Sequence, residues 1–283
     1  MRVAIASGKG GTGKTTLAVN LATKAAETKS TVLVDLDVEE PNGALFIGGT
    51  PIAEHNAKRA IPNWDNVQCT LCGKCTSWCK FNALLKLGEM ILVMPNLCHS
   101  CFACSELCPV DALPMQDESL GRISHFRKDK LDFVESRLDI GLEQASPLIG
   151  QTLSYIDSHL PGRELQILDS PPGTACAMVS AVKNADYVIL ISEPTPFGLH
   201  DLRLAVETIR QLKIPFGVVI NRDGIGNDDI YQYLADEEIK LIAKIPHLRR
   251  IAELYSQGAM LYQEVPQFDA ALTKILNTIL ESL

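Results

Sequence analysis

Residues 8–15 read GKGGTGKT, between the apolar run VAIAS and the helix-like LAVNLATKAAE. A strand that ends in a glycine-rich loop opening straight into a helix leaves few folds available. Gly8 to Thr15 match G-x-x-x-x-G-K-[ST], whose glycines let backbone N–H groups wrap phosphate oxygens while the helix N-terminus adds a favourable dipole. In that pattern Lys14 reaches the β/γ-phosphates and the Thr15 hydroxyl ligates Mg²⁺. Gly8, Gly10, Gly11, Thr12, Gly13 and Thr16 complete the expected nucleotide-binding loop. A chance glycine turn would lack this strand-loop-helix setting.

The rest of the chain supports the same class. Strand-like runs recur at 2–7, 31–37, 164–170, 186–192, 216–222 and 239–246, with helical periodicity between them, clearest over 199–212. Short, continuously apolar strands separated by helices imply an α/β fold: a doubly wound, mostly parallel sheet covered on both faces. The stretch 121–137 reads instead as a β-hairpin turning near Lys128-Asp129. With 283 residues, 46% of them hydrophobic, the chain can bury a large core. A net charge of −8 argues against a broad nucleic-acid footprint. No apolar run approaches a membrane span and the N-terminus reads as a first strand, so a cytoplasmic protein without integral membrane association is expected.

Eight of the nine cysteines fall between Cys69 and Cys108, in a stretch from about 50 to 120 that breaks the strand-helix alternation. This predicts a discontinuous host, 1–50 and 121–283, with an inserted domain over 51–120. The spacing is C-x₂-C-x₂-C-x₃-C twice, the run of bacterial two-cluster ferredoxins, in which each fourth cysteine ligates the other cluster. One [4Fe–4S] cluster is assigned to Cys69, Cys72, Cys75 and Cys108, the other to Cys98, Cys101, Cys104 and Cys79. Zinc is the rival, but zinc sites take two C-x₂-C pairs across a longer loop. Cys79 is followed by Lys80, where Cys108 is followed by Pro109.

The second lysine of the loop, Lys9, makes K-G-G-T-G-K-T, which resembles the deviant phosphate loop of MinD-like and nitrogenase-iron-protein-like ATPases. A solvated loop lysine is the bland alternative. The resemblance covers nearly the whole chain and implies a role for each of several residues. By that resemblance, Lys9 crosses an ATP-dependent homodimer to touch the partner's nucleotide. Asp37, at the end of DLD, becomes the switch I carboxylate acting on the attacking water, so that Lys9, Lys14 and Asp37 are the implied catalytic set. In LDSPPGT (168–174), the resemblance has Asp169 hold Mg²⁺ and Gly173 sense the γ-phosphate. Asn221-Arg222 resembles the adenine-reading element, and 185–202 resembles family members with an inserted ferredoxin.

The expected function is an ATP-hydrolysing switch using ATP/ADP and Mg²⁺, coupled to a two-cluster redox module that serves a redox or iron–sulfur partner protein. The insert begins roughly a dozen residues after Asp37, a short covalent route from switch I. Two other classes stay open: a cluster carrier resembling Mrp-type relatives, and a MinD-like spatial organiser with structural clusters. Cys176, seven residues after Asp169, lies where the nitrogenase iron protein has a cluster ligand. With no second such cysteine, a small buried helix residue is the preferred reading. The C-terminal apolar positions Phe268, Leu272, Ile275, Ile279 and Leu283 recur at helical spacing without a basic face, which predicts packing on the host. None of the six histidines stands at a metal-ligand spacing with another.

Overall fold

The structure, a computed structural model, describes residues 1–281; Leu283 lies outside them. Its centre is a nine-stranded sheet. The strands in chain order are β1 (Arg2–Ala6), β2 (Thr31–Asp35), β3 (Thr50–Pro62), β4 (Leu84–Leu87), β5 (Met90–Val93), β6 (Met115–Lys128), β7 (Leu131–Leu138), β8 (Leu165–Asp169), β9 (Tyr187–Ser192), β10 (Phe216–Asp223) and β11 (Leu241–Pro246). The sheet order is β11-β10-β9-β1-β8-β2-β7-β6-β3, with β4 and β5 forming a separate hairpin. From β11 to β7 every pairing is parallel; β6 and β3 add an antiparallel edge.

Alternate residues of the apolar strands enter two different cores, as a period of two requires when both faces are covered. Ala4, Ala6, Val32 and Val34 meet helices 145–159, 176–182, 196–212 and 229–236. Val3, Ile5 and Leu33 meet helices 14–26, 249–256 and 266–281 on the other face. Phe268, Leu272, Ile275 and Ile279 are buried in that second core.

The hairpin turns at Asp129, between β6 and β7. Composition did not reveal β3, whose first seven residues are exposed and carry no apolar alternation. It pairs with β6 from Thr50 to Pro62, so the sheet extends into the segment set apart at 51–120, and the cysteines occupy only residues between the two strands. The register places Asp35 level with Glu135, Ser124 and Glu54. From Glu54, β3 runs on to Pro62, roughly 25 Å at ~3.3 Å per residue. The cysteine segment therefore leaves the sheet at the carboxyl ends of the parallel strands, the end that carries the phosphate loop.

The two halves of that segment repeat one backbone. Left-handed residues precede and follow the second cysteine of each motif, Leu71 and Gly73 in one and Ser100 and Phe102 in the other. A third pair, Asn82 and Asp111, stands three residues after Cys79 and Cys108. Lys80 in place of a proline thus leaves the local geometry unchanged.

Candidate functional site

Each expected nucleotide residue sits where β1, β2, β8, β9 and β10 end. Gly13 (φ 97°) turns the loop into the helix that begins at Lys14. A Cβ at Gly8 would lie 2.1 Å from the Asp201 carbonyl oxygen, so helix 196–212 can approach the loop only because residue 8 is glycine. Lys14 is buried and donates to Ser7 Oγ at 2.9 Å. Burial lowers its pKa, while Asp169 and Asp37 oppose the fall.

Two carboxylates, Asp169 and Asp37, act on this one buried ammonium, and a third, Asp35, lies beside them. Asp169 is 2% exposed, and neither carboxylate oxygen has a hydrogen bond of normal geometry. Burial holds its pKa well above the usual range, Asp35 adds to the rise, and the nearby Thr15 hydroxyl tempers it. Asp35 is its register neighbour on β2. It accepts N–H bonds from Asp37 (3.1 Å), Asn42 (3.0 Å) and Gly43 (2.9 Å), which shapes the loop after β2. Burial raises both Asp35 and Asp37 to about 6, in Asp37 with help from Asp35. An orphaned, buried carboxylate beside a threonine hydroxyl, with excess negative charge around it, fits a hard divalent cation held by oxygen ligands. Asp169 and Thr15 are the residues that could hold it. Glu135 on β7 extends the carboxylate row past Asp35, and its Oε2 is also buried without a partner.

Lys9 stands apart from the phosphate cradle. Its Nζ is 3.8 Å from Glu193 Oε2, and Arg222 binds the other oxygen of the same carboxylate at 2.6 Å. Glu193, just beyond β9, is 6% exposed. The sequence offered no motif for it, only its place within the resembling stretch 185–202. Asn221 Nδ2 donates to the Thr12 carbonyl at 2.8 Å, and its Oδ1 accepts from Arg222 N–H at 2.9 Å. The residue expected to read adenine thus fastens the phosphate loop. Gly173 N–H is bonded to the Ser7 carbonyl at 3.1 Å, so meeting a phosphate would require releasing it. Cys176 corrects an expectation: it is exposed, at the first turn of helix 176–182, and not a core residue.

The other eight cysteines separate into two sets of four. Cys69, Cys72, Cys75 and Cys108 line a small hollow with Trp78, Ile91 and Leu113. Cys79, Cys98, Cys101 and Cys104 line another with Phe81, His99 and Phe102. The fourth cysteine of each motif crosses to the other set. Among the described residues no three metal-ligating side chains converge as on a single ion. Burial pushes the Cys75, Cys98 and Cys104 thiols up, Cys104 to about 11, and crowding by neighbouring thiols adds to it. Four thiolates this close need a positive centre between them, so the donor set fits an iron–sulfur cluster. Backbone N–H groups of Ala83 and Ala112 donate to Cys79 and Cys108 sulfur, both at 3.3 Å.

The chain belongs to the CobQ/CobB/MinD/ParA nucleotide binding domain family, whose model matches residues 3–261, and is a P-loop ATPase of the MinD superfamily. It is 32% identical over 259 residues to an uncharacterised protein of Methanocaldococcus jannaschii, covering 91% of this chain and 90% of that one. It is 21% identical to the iron-sulfur cluster carrier protein of Pyrococcus horikoshii, over 99% of this chain and 87% of the relative. Its fold is similar to that of the cell division ATPase MinD of Pyrococcus furiosus, with TM-score 0.58 at 18% identity and 98% of each chain covered. Among the described residues no helix is long and apolar enough to cross a membrane.

Proposed function

We propose that this chain is a Mg²⁺-dependent ATP-hydrolysing switch whose ATP-bound homodimer controls a two-cluster redox module, and through it electron transfer to, or docking of, a partner protein. The module is the segment between β3 and β6, with one [4Fe–4S] cluster on each set of four cysteines. Bound clusters would supply one-electron chemistry; the chain supplies the ligands and the N–H bonds to sulfur that tune their potentials. At the nucleotide, Lys14 neutralises phosphate charge, Thr15 and Asp169 hold Mg²⁺, and Asp37 orients the attacking water. Lys9 leaves Glu193 to reach the nucleotide of the second subunit, where its charge acts on the transferring phosphoryl group.

The observation that carries this reading is the four-and-four division of the cysteines at the same end of the sheet as the phosphate loop. Protein purified without oxygen is expected to contain about eight iron and eight acid-labile sulfide per chain, as two four-iron clusters require. Stoichiometric zinc with little sulfide would overturn it. The similarity to a cluster carrier favours a second reading, delivery of clusters to apo-proteins. Half-buried, fully ligated sites speak for retention, and incubation with an apo-acceptor separates the two. A carrier loses iron and sulfide within minutes, whereas a redox module keeps them.

A further inference from the structure

We propose that the segment Arg137–Gln144 transmits the nucleotide state sideways from switch I to the cluster set of Cys79, Cys98, Cys101 and Cys104, that this cluster alone responds, and that Gln144 is the positioning residue. The inference rests on the coupled-switch reading proposed for the whole chain.

At one end the segment is bonded to the loop after β2. Leu138 N–H donates to the Val38 carbonyl at 2.9 Å, and the Arg137 guanidinium reaches the Pro41 carbonyl at 3.4 Å. Both acceptors lie within a few residues of Asp37 along the chain. At the other end the Gln144 amide is fully engaged. Its Nε2 donates to the carbonyls of Asn96 (3.1 Å) and Cys98 (3.0 Å), and its Oε1 accepts from Arg59 at 3.2 Å. Arg59 is itself buried on β3 and held by Glu118 at 2.7 and 2.9 Å. Gln144 also leads into helix 145–159, which packs against helix 176–182 beyond Asp169. The stretch is therefore bonded to the loop after β2, and the helix it opens packs on the helix that follows β8.

The two cysteine sets are not tied equally to the host. Ser100 Oγ donates to the Ala60 carbonyl at 2.8 Å, adding a second bond to the Cys98–Cys101 loop. Among the described residues no hydrogen bond reaches residues 69–79 from outside the segment between β3 and β6. The covalent route from switch I is also poor, because it runs through β3, paired with β6 over its length. Moving Gln144 shifts a dipole on a ligand's own carbonyl and the partner of a buried guanidinium. A cluster potential responds to both. Nucleotide acts only through such differential contacts.

The test is an anaerobic redox titration of the full-length protein, followed by electron paramagnetic resonance, with Mg·ADP and with a Mg·non-hydrolysable ATP analogue. One of the two clusters should shift by at least 5-fold in its redox equilibrium, about 40 mV at 59 mV per tenfold for one electron. In Gln144→Leu the shift should fall below 2-fold. Gln151→Leu, which removes a comparable tie from helix 145–159 to the Lys58 backbone, should keep it. Cys98→Ser should displace or delete the responsive signal. A wild-type response that persists in Gln144→Leu, or a responsive signal untouched by Cys98→Ser, overturns this inference and leaves the switch standing. No response in the wild type overturns the switch itself.

Discussion

Glu193 binds two cations from different loops, Lys9 and Arg222, and its position beyond β9 is the least legible part of the site. A strand-end glutamate carries no motif, and its partners lie far away in sequence; only the fold joins them. That Lys14, Asp37 and Asp169 lie together was legible, Lys14 from the phosphate-loop pattern and the two aspartates from the resemblance of DLD and LDSPPGT to family motifs. The work of Asp35, three backbone N–H bonds that build the switch I loop, was not. Glu193→Gln should free Lys9. The 3.8 Å pair is a third exposed on the lysine side and worth at most about 1 kcal/mol, so ATP-dependent dimerisation should tighten by about 5-fold or less. Sedimentation of the two proteins with an ATP analogue checks this; weaker dimerisation would mean that the pair assists the dimer. Lys9→Ala should bind nucleotide as a single subunit yet lose dimer-dependent hydrolysis, whereas Lys14→Ala should lose tight binding. Asp37 also has a pH signature. Its pKa is raised to about 6 in the folded chain, so between about pH 4 and 6 the native state binds more protons than the unfolded one, and stability falls as pH rises through that window. Asp37→Asn lacks this charge penalty. Its stability relative to wild type should rise on the order of 1 kcal/mol across the window, after allowance for solvent screening, and stay level outside it. Urea unfolding without nucleotide at a series of pH values measures it, and a difference independent of pH would refute the raised pKa.

The parallel strands were legible as elements because burial on both faces makes them continuously apolar. Strand β3 was not, since an edge strand facing solvent over TPIAEHN has no reason to alternate. Its position is set by pairing with β6, a long-range fact. The cysteine segment was legible for the opposite reason: its spacing is chemistry, and the repeated left-handed positions follow from wrapping each hollow. Its own apolar core is small and built around the cysteines, with Leu84, Ile91 and Leu113 beside Cys75 and Cys104, separate from the two large cores of the host. A core of that size needs a further support such as the proposed clusters to hold a fold. Removing iron by anaerobic chelation should therefore expose residues 63–114 to protease while the host sheet stays resistant and keeps its thermal transition. Equal protection of that segment with and without iron would contradict a metal-held fold. At the other end of the site, Gly8→Ala must push the second turn of helix 196–212, at Asp201, off the phosphate loop. The expected cost is ~1–3 kcal/mol of stability, with weakened nucleotide binding, read by thermal unfolding with and without Mg·ADP.

In the whole molecule, the carboxyl ends of the parallel strands carry the phosphate loop near the middle of the sheet and the cysteine segment at its edge. The two sites thus share one end of one sheet, joined by β3, β6 and the segment after β7. That arrangement gives the nucleotide a physical route to the cysteine segment, and measurement separates the proposed switch from a ferredoxin tethered to an ATPase. The most direct measurement is the rate at which an external chelator removes iron from the oxygen-free protein, compared between Mg·ADP and a Mg·non-hydrolysable ATP analogue. Coupling of ~1–3 kcal/mol corresponds to about 5- to 150-fold. A coupled switch predicts a difference of at least 5-fold in wild type that disappears in Lys9→Ala, where nucleotide binds without the dimer. Superimposable curves for the two nucleotides in wild type would contradict it.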